Sequence, residues 1–171
     1  MRASDLISRF VGRSALIRID SATWHALFDE LSARGGGVRE SGAFLLGSKE
    51  DPRPRVREII YFDDLDEDAL TGAIHLHAYA FSRLWRICRQ GNMRVLADVH
   101  THPSAWVQQS TIDQANPMVA REGHLGLIVP EFARGSRSAR AVGFHIYRGE
   151  SGWDSHYGTG ASRLLYVGAH A

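Results

Sequence analysis

A chain of 171 residues fits one domain, and at this size about 70% of the unfolded surface is buried on folding, so no metal or disulfide is needed to hold the core together. Lys and Arg together number 20 against 19 Asp and Glu, a balance that calls for neither nucleic acid nor a membrane surface as partner. The single Cys88 excludes an intramolecular disulfide and any multi-cysteine zinc knuckle, and the opening residues 1–6 run into charged positions with no apolar stretch of signal-peptide or membrane-spanning length, which predicts a soluble, unprocessed, cytoplasmic protein.

In chain order, residues 15–19 alternate apolar and charged side chains as a strand does. Ser21 then stands as a helix N-cap before Trp24, Leu27, Phe28 and Leu31, an i, i+3, i+4, i+7 stripe that ends at Gly35-Gly36-Gly37. Residues 43–46 form a short apolar run suited to a buried strand, and 56–62, entered through Pro52 and Pro54, form another. The acidic run 63–68 reads by default as a solvated loop, with facing a basic partner as the alternative. Over 78–89 the helical spacing of Phe81, Leu84, Trp85 and Cys88 places Cys88 in the core as a small apolar residue rather than a reactive thiol. A strand follows at 95–101, a helix begins behind Ser110 and extends over 111–120, and two further strands occupy 124–129 and 141–147. Between them the loop 131–140, with Arg134, Arg137 and Arg140 among small residues, is placed to flank a substrate groove. The tail 151–171 has little periodicity; it packs on the sheet through Leu164, Leu165 and Tyr166 or serves as a binding arm. With no repeat, no linker and no strict βα alternation, the expected architecture is a single α+β domain over 1–171, a mixed sheet flanked by helices.

The chemistry concentrates in one stretch. His100 and His102 flank Thr101, and on a strand side chains two apart share a face, so both imidazoles can reach one ion. Pro103 cannot continue a central strand; the chain turns there, and Asp113, eleven positions after His102, can return as a third ligand. Two histidines and a carboxylate leave the fourth position of a tetrahedral zinc open, as catalytic sites do. Each residue also has a plainer reading. The histidines can be hydrogen-bonded strand residues, Glu40 a solvated residue at a strand entrance, Ser110 a helix N-cap and Asp113 a first-turn carboxylate favoured by the helix dipole.

Glu-x-Gly-x-x-Leu-x-Gly at 40–47 followed by His-x-His-Pro-x6-Ser-x-x-Asp at 100–113 resembles the JAB/MPN/JAMM zinc metalloprotease family, over about residues 15–150. The resemblance implies an MPN-like domain with one zinc per chain held by His100, His102 and Asp113. It implies that Glu40 handles the proton of the attacking water and that Ser110 supports the oxyanion. It further implies an isopeptidase or peptidase, resembling deubiquitinases, that hydrolyses the amide after the C-terminal tail of a ubiquitin-like protein, possessing co-encoded activating or conjugating partners. The alternative is release of cysteine or a small adduct from a sulfur-carrier protein. A non-catalytic MPN scaffold is the weakest reading, because scaffolds of that kind lack the ligands retained here. Trp106, between His102 and Asp113, either walls the groove or packs into the core.

A second His-x-His, His75 and His77, has Cys88 where the matching carboxylate would stand and reads as surface or strand-end histidines. His-Glu-x-x-His is absent, and a deaminase ligand pair cannot be built from one cysteine.

Overall fold

The computed structural model describes residues 15–71 and 73–169; the expectation about the opening residues lies outside them. Strand β1 (Ile17–Asp20) leads into helix α1 (Ser21–Gly35). Asp20, not Ser21, is the N-cap, its carboxylate accepting from the Ala22 N–H at 2.9 Å. Strands β2 (Gly42–Ser48) and β3 (Glu58–Tyr61) follow, then the single helical turn α2 (Phe62–Leu65), helix α3 (Ala78–Gln90), strand β4 (Met93–Thr101) and the short helix α4 (Thr111–Ala115). Strands β5 (Leu125–Val129), β6 (Gly143–Tyr147) and β7 (Trp153–His156), helix α5 (Thr159–Leu164) and strand β8 (Leu165–Gly168) complete the order.

Six strands form a mixed sheet in the order β3-β2-β4-β5-β6-β7, antiparallel except for the parallel pair β4 and β5. The fold class is α+β, as expected. Both faces of the central strands are covered, and period-two alternation sorts the side chains between them. Ala43, Leu45, Val99, Leu127 and Phe144 pack with the α1 stripe of Trp24, Leu27, Phe28 and Leu31. Phe44 and Leu46 turn the other way and pack with Phe62, Leu65, Leu84 and Cys88. Leu96 is the extra residue of a bulge, since Leu45 faces Ala97 while Leu46 faces Val95; Leu96 and Ala97 therefore both enter the α1-side core. Beyond that bulge the alternation leaves Asp98 and His100 on the opposite face, lining one cavity.

Two sequence expectations change, and one left with two readings is resolved. The acidic run 63–68 is only partly a solvated loop: Asp64, Glu67 and Asp68 are exposed, but Asp63 and Asp64 pair with Arg34 at 2.7 and 2.8 Å, and fully buried Asp66 accepts from the His77 backbone N–H and the Tyr79 hydroxyl. The helix behind Ser110 stops at Ala115 rather than 120, because Pro117 has no N–H to give and drives Asn116 out of the helical region, to φ −128° and ψ 68°. Of the two readings of the tail, packing holds: Leu165 enters the core and Leu164 packs against it. The tail is ordered into β7, α5 and β8; β7 extends the main sheet, while β8 pairs in parallel with β1, Ile17 opposite Leu165. Among the described residues no helix is long and apolar enough to cross a membrane.

Candidate metal centre

His100 lies near the C-terminal end of β4, flanked by Gly42 of β2 and Ile128 of β5. His102 lies just past the strand, where its N–H still donates to the Val129 carbonyl at 2.9 Å and prolongs the ladder. Both rings are buried, at 9% and 6% exposure, and their Nε2 atoms are 3.2 Å apart. His102 Nδ1 lies 3.0 Å from the Trp106 carbonyl. A carbonyl only accepts, so Nδ1 carries the proton and the Nε2 lone pair of the neutral ring is free for a ligand.

Pro103 ends the strand and the loop to Asp113 is tied down along its length. The Val107 carbonyl accepts from His145 Nε2 on β6 at 3.1 Å. The second nitrogen of that ring then accepts from the Ser155 hydroxyl at 2.8 Å, so His145 is neutral and fully satisfied; burial pushes it down to about 4. Gly143 makes the approach possible, because a Cβ there would sit 2.1 Å from the Val107 oxygen. At the far end of the loop Ser110 and Asp113 form a reciprocal capping box: Ser110 Oγ accepts from the Asp113 N–H, and Asp113 Oδ2 accepts from the Ser110 N–H at 2.7 Å. The cap reading of Ser110 therefore holds, and the same cap aims the Asp113 carboxylate.

The result is a compact donor triangle. Asp113 Oδ1 is 3.6 Å from His100 Nε2, and Oδ2 is 3.4 Å from His102 Nε2. Ligand bonds of 2.0–2.1 Å to a tetrahedral ion imply donor separations of about 3.3–3.4 Å, so these three residues are positioned to hold a metal ion. Burial alone would raise the Asp113 pKa, but His100, His102 and the Ser110 side chain hold it far below the usual carboxylate range. Burial likewise works against charge on His102, where Asp113 and the Trp106 carbonyl prevail and raise its pKa.

Glu40 precedes β2 and lines the same cavity as His100, Ser110 and Asp113. Its neighbour Ser41 locks it beside the histidine strand, with the Ser41 N–H donating to Thr101 Oγ1 at 3.0 Å and the Thr101 N–H to the Ser41 carbonyl at 2.9 Å. The next residue has to be glycine: a Cβ at Gly42 would lie 2.3 Å from the Phe62 ring and 2.6 Å from the Val99 carbonyl oxygen. Burial raises the Glu40 pKa against the opposing pull of His100 and His102, which moves the carboxyl towards the range useful for proton transfer. The Ser110 hydroxyl hydrogen is not used in the capping box. All five sequence-derived site residues thus meet at one cavity or its rim.

Other residues fall differently. His75 and His77 are both exposed, as surface histidines, with rings 5.0 Å apart; His77 Nδ1 bonds Asp66 at 2.8 Å and its ring stacks on Tyr79. Trp106 does not pack into the core; it is 55% exposed and works through its backbone carbonyl. The loop 131–140 is fastened beside the histidine strand: the Phe132 N–H donates to the His102 carbonyl and the Glu131 N–H to that of Ser104, while Arg134 bonds the Gly36 carbonyl and Arg137 pairs with Asp29. Residues 131–133 all have positive φ, 52° to 61°, a conformation costing about 1–2 kcal/mol per L-residue, and this turn meets the backbone at and just past the ligand His102. Sequence reading missed His145, which supports the loop, and the buried pair Asp98 and His124 at 2.6 Å. Asp98 and His124 are 26 residues apart and His145 is 38 from Val107, beyond any local pattern. Trp153, on the missed strand β7, lines the cavity.

No protein-family model matches the chain. Similar solved structures include a protein of Desulfitobacterium hafniense, 14% identical with a TM-score of 0.58, the match covering 90% of this chain and 94% of that one. A JAB1/MPN domain protein from Archaeoglobus fulgidus matches at 18% identity and a TM-score of 0.46, covering 88% and 96%. At such identities the first likeness speaks for a shared fold alone, and the second overlaps too loosely to add to it.

Proposed function

We propose that this chain is a zinc-dependent hydrolase of the amide bond following the C-terminal tail of a ubiquitin-like protein, acting in the cytoplasm. The observation that carries the reading is the convergence of His100, His102 and Asp113 with Glu40 and Ser110 about one cavity, at the spacings that resemble the JAB/MPN/JAMM motif. Borderline-soft zinc suits an imidazole and carboxylate donor set with an open fourth position. When bound, such an ion polarises a carbonyl and lowers the pKa of a water from 15.7 towards about 7.

The chain's own residues do the rest. Glu40, with its raised pKa, accepts a proton from the attacking water and returns it to the leaving amine, a pairing of tasks one carboxyl can perform in sequence. Ser110 Oγ, fixed by the capping box, donates its hydrogen to the developing oxyanion. His102 keeps its tautomer through Trp106. The second reading, release of cysteine or a small adduct from a sulfur-carrier tail, uses the same residues and differs in the leaving group; the cavity, about 110 Å³, favours small groups beside the metal.

The test is incubation of the zinc-loaded protein with ubiquitin-like proteins encoded nearby, each carrying a C-terminal peptide, an isopeptide-linked lysine or a cysteine adduct, and measurement of intact masses. Cleavage after the last tail residue is expected, with refusal of a tail made bulky at the scissile bond. Comparable cleavage of unrelated unfolded peptides would point to a general peptidase, and no cleavage of any carrier fusion would remove the substrate reading.

A further inference from the structure

Two adjoining cavities lie at the opposite end of β4 from the histidines, six residues and so about 20 Å along the strand from His100. They measure about 280 and 360 Å³, each near the size of small-molecule sites, and share Arg94, Val95, Leu96, Arg121 and Gly123 in their walls. Lys49 and Arg89 line one and Arg148 the other, and neither wall contains an Asp or Glu. By contrast the metal cavity carries Glu40, Asp98 and Asp113 and no Lys or Arg.

Arg34, Arg57, Arg137 and Arg148 have carboxylate partners, the last of them in the wall of the second cavity. Among the described residues Lys49, Arg89, Arg94 and Arg121 make no ion pair, although a chain with 19 acidic residues has carboxylates to spare. One atom makes the deficit specific. Arg94 Nε is buried without a hydrogen-bond acceptor, the lone such side-chain atom among the described residues. A buried charged donor without an acceptor is destabilising, and a turn of the Arg94 side chain that brings Nε onto an occupant's oxygen would relieve it. The chain's own first fourteen residues are poorly suited to that task, carrying Arg2, Arg9 and Arg13 against Asp5 alone.

We propose that these cavities form a binding site, separate from the metal centre, for a small organic polyanion whose oxyanion groups engage Arg94 and Arg121. A guanidinium presents Nε and Nη as a fork matched to phosphate or carboxylate oxygens. Arg94, in the wall common to both cavities, takes one oxyanion group, and Arg121 with Lys49 or Arg89 takes the second. Trp85, at the edge of the first cavity and 38% exposed, covers the apolar body between them. Concavity at this volume favours a small molecule over a polymer backbone, which needs an extended basic stripe. The site does not depend on the hydrolase reading.

Isothermal titration of the full-length protein at fixed ionic strength decides it, with fructose 1,6-bisphosphate as the phosphate probe and tricarballylate as the carboxylate probe. Saturable one-to-one binding of at least one probe is expected. Arg121→Gln, an exposed change that leaves the core intact, and Arg94→Met should each weaken it about tenfold or more, equivalent to about 1.4 kcal/mol. Arg134→Gln, a surface control bonded elsewhere, should not. His100→Ala should bind the probes as the wild type does, which separates this site from anion binding at the metal centre. Absence of saturable binding by either probe at millimolar concentration, unchanged affinity in Arg121→Gln, or loss in His100→Ala would overturn the proposal. So would tighter binding of a single-stranded oligonucleotide at the same arginines.

Discussion

His145 on β6 holds the carbonyl of Val107 at 3.1 Å, and through that one bond a strand two positions across the sheet from β4 supports the loop that returns Asp113 to His100 and His102. The bond needs Nε2 protonated and Nδ1 bare, since Nδ1 accepts from Ser155. A second proton has nowhere to go. Burial accordingly lowers the His145 pKa from 6.5 to about 4.

Between those values the unfolded chain binds a proton that the folded one refuses, so stability rises with pH across the interval. The His145 contribution is complete above the unfolded pKa and is lost as pH falls through about 4, by as much as about 3 kcal/mol. Urea unfolding at pH about 7.5 and about 5 should give a clearly lower midpoint at the acid end, and His145→Gln should flatten the difference. An equal pH slope in wild type and variant would assign the acid sensitivity to other groups.

Zinc content should follow the donor triangle. Purified protein refolded with zinc is expected to hold about one ion per chain, and His100→Ala or Asp113→Ala should lose it while retaining the far-ultraviolet circular dichroism of the wild type. Elemental analysis checks this; a wild type without metal after zinc refolding would remove the metal reading.

Glu40→Gln separates holding the ion from moving the proton. The amide preserves size but cannot accept a proton, so zinc content and thermal midpoint should stay near wild type while hydrolysis of a carrier fusion falls by about 10²–10⁴-fold. Near-normal turnover with confirmed zinc content would assign the base to another residue.

Gly143→Ala tests the loop anchor without touching a ligand. The added methyl would lie 2.1 Å from the Val107 oxygen and 2.7 Å from His145 Nε2, so the loop must shift, at a cost of about 1–3 kcal/mol for overpacking. Weaker zinc retention against a chelator should accompany the stability loss. Gly160→Ala is the control: it lies in α5, its nearest neighbour to a new Cβ is at 3.6 Å, and relief of glycine entropy should make it neutral or stabilising by about 0.5–1 kcal/mol. Equal zinc retention in the two variants would show that the loop reaches its place without this contact.

Local periodicity carried much of this protein in its sequence. The α1 stripe, the α3 stripe that buries Cys88, and the placement of His100 and His102 by a two-residue spacing at the end of one strand all follow from residues within a few positions of each other, because helix and strand repeats are local properties. Ser110 and Asp113 were legible for the same reason, being three apart in a capping box. Tertiary structure decided what depends on distant partners. The run 63–68 has the composition of a solvated loop, but Arg34 in α1 holds Asp63 and the backbone of His77 draws Asp66 inward. The tail has little periodicity because β8 is ordered by pairing with β1, at the other end of the chain. The anchor of the Asp113 loop rests on His145, 38 residues from Val107, and the unpaired cations gather from α3, β4 and the turn before β5. Spacing can encode which side chains share a face; which faces meet is settled only when the sheet order is formed, since that is where long-range burial and hydrogen bonds offset the entropy of ordering the chain.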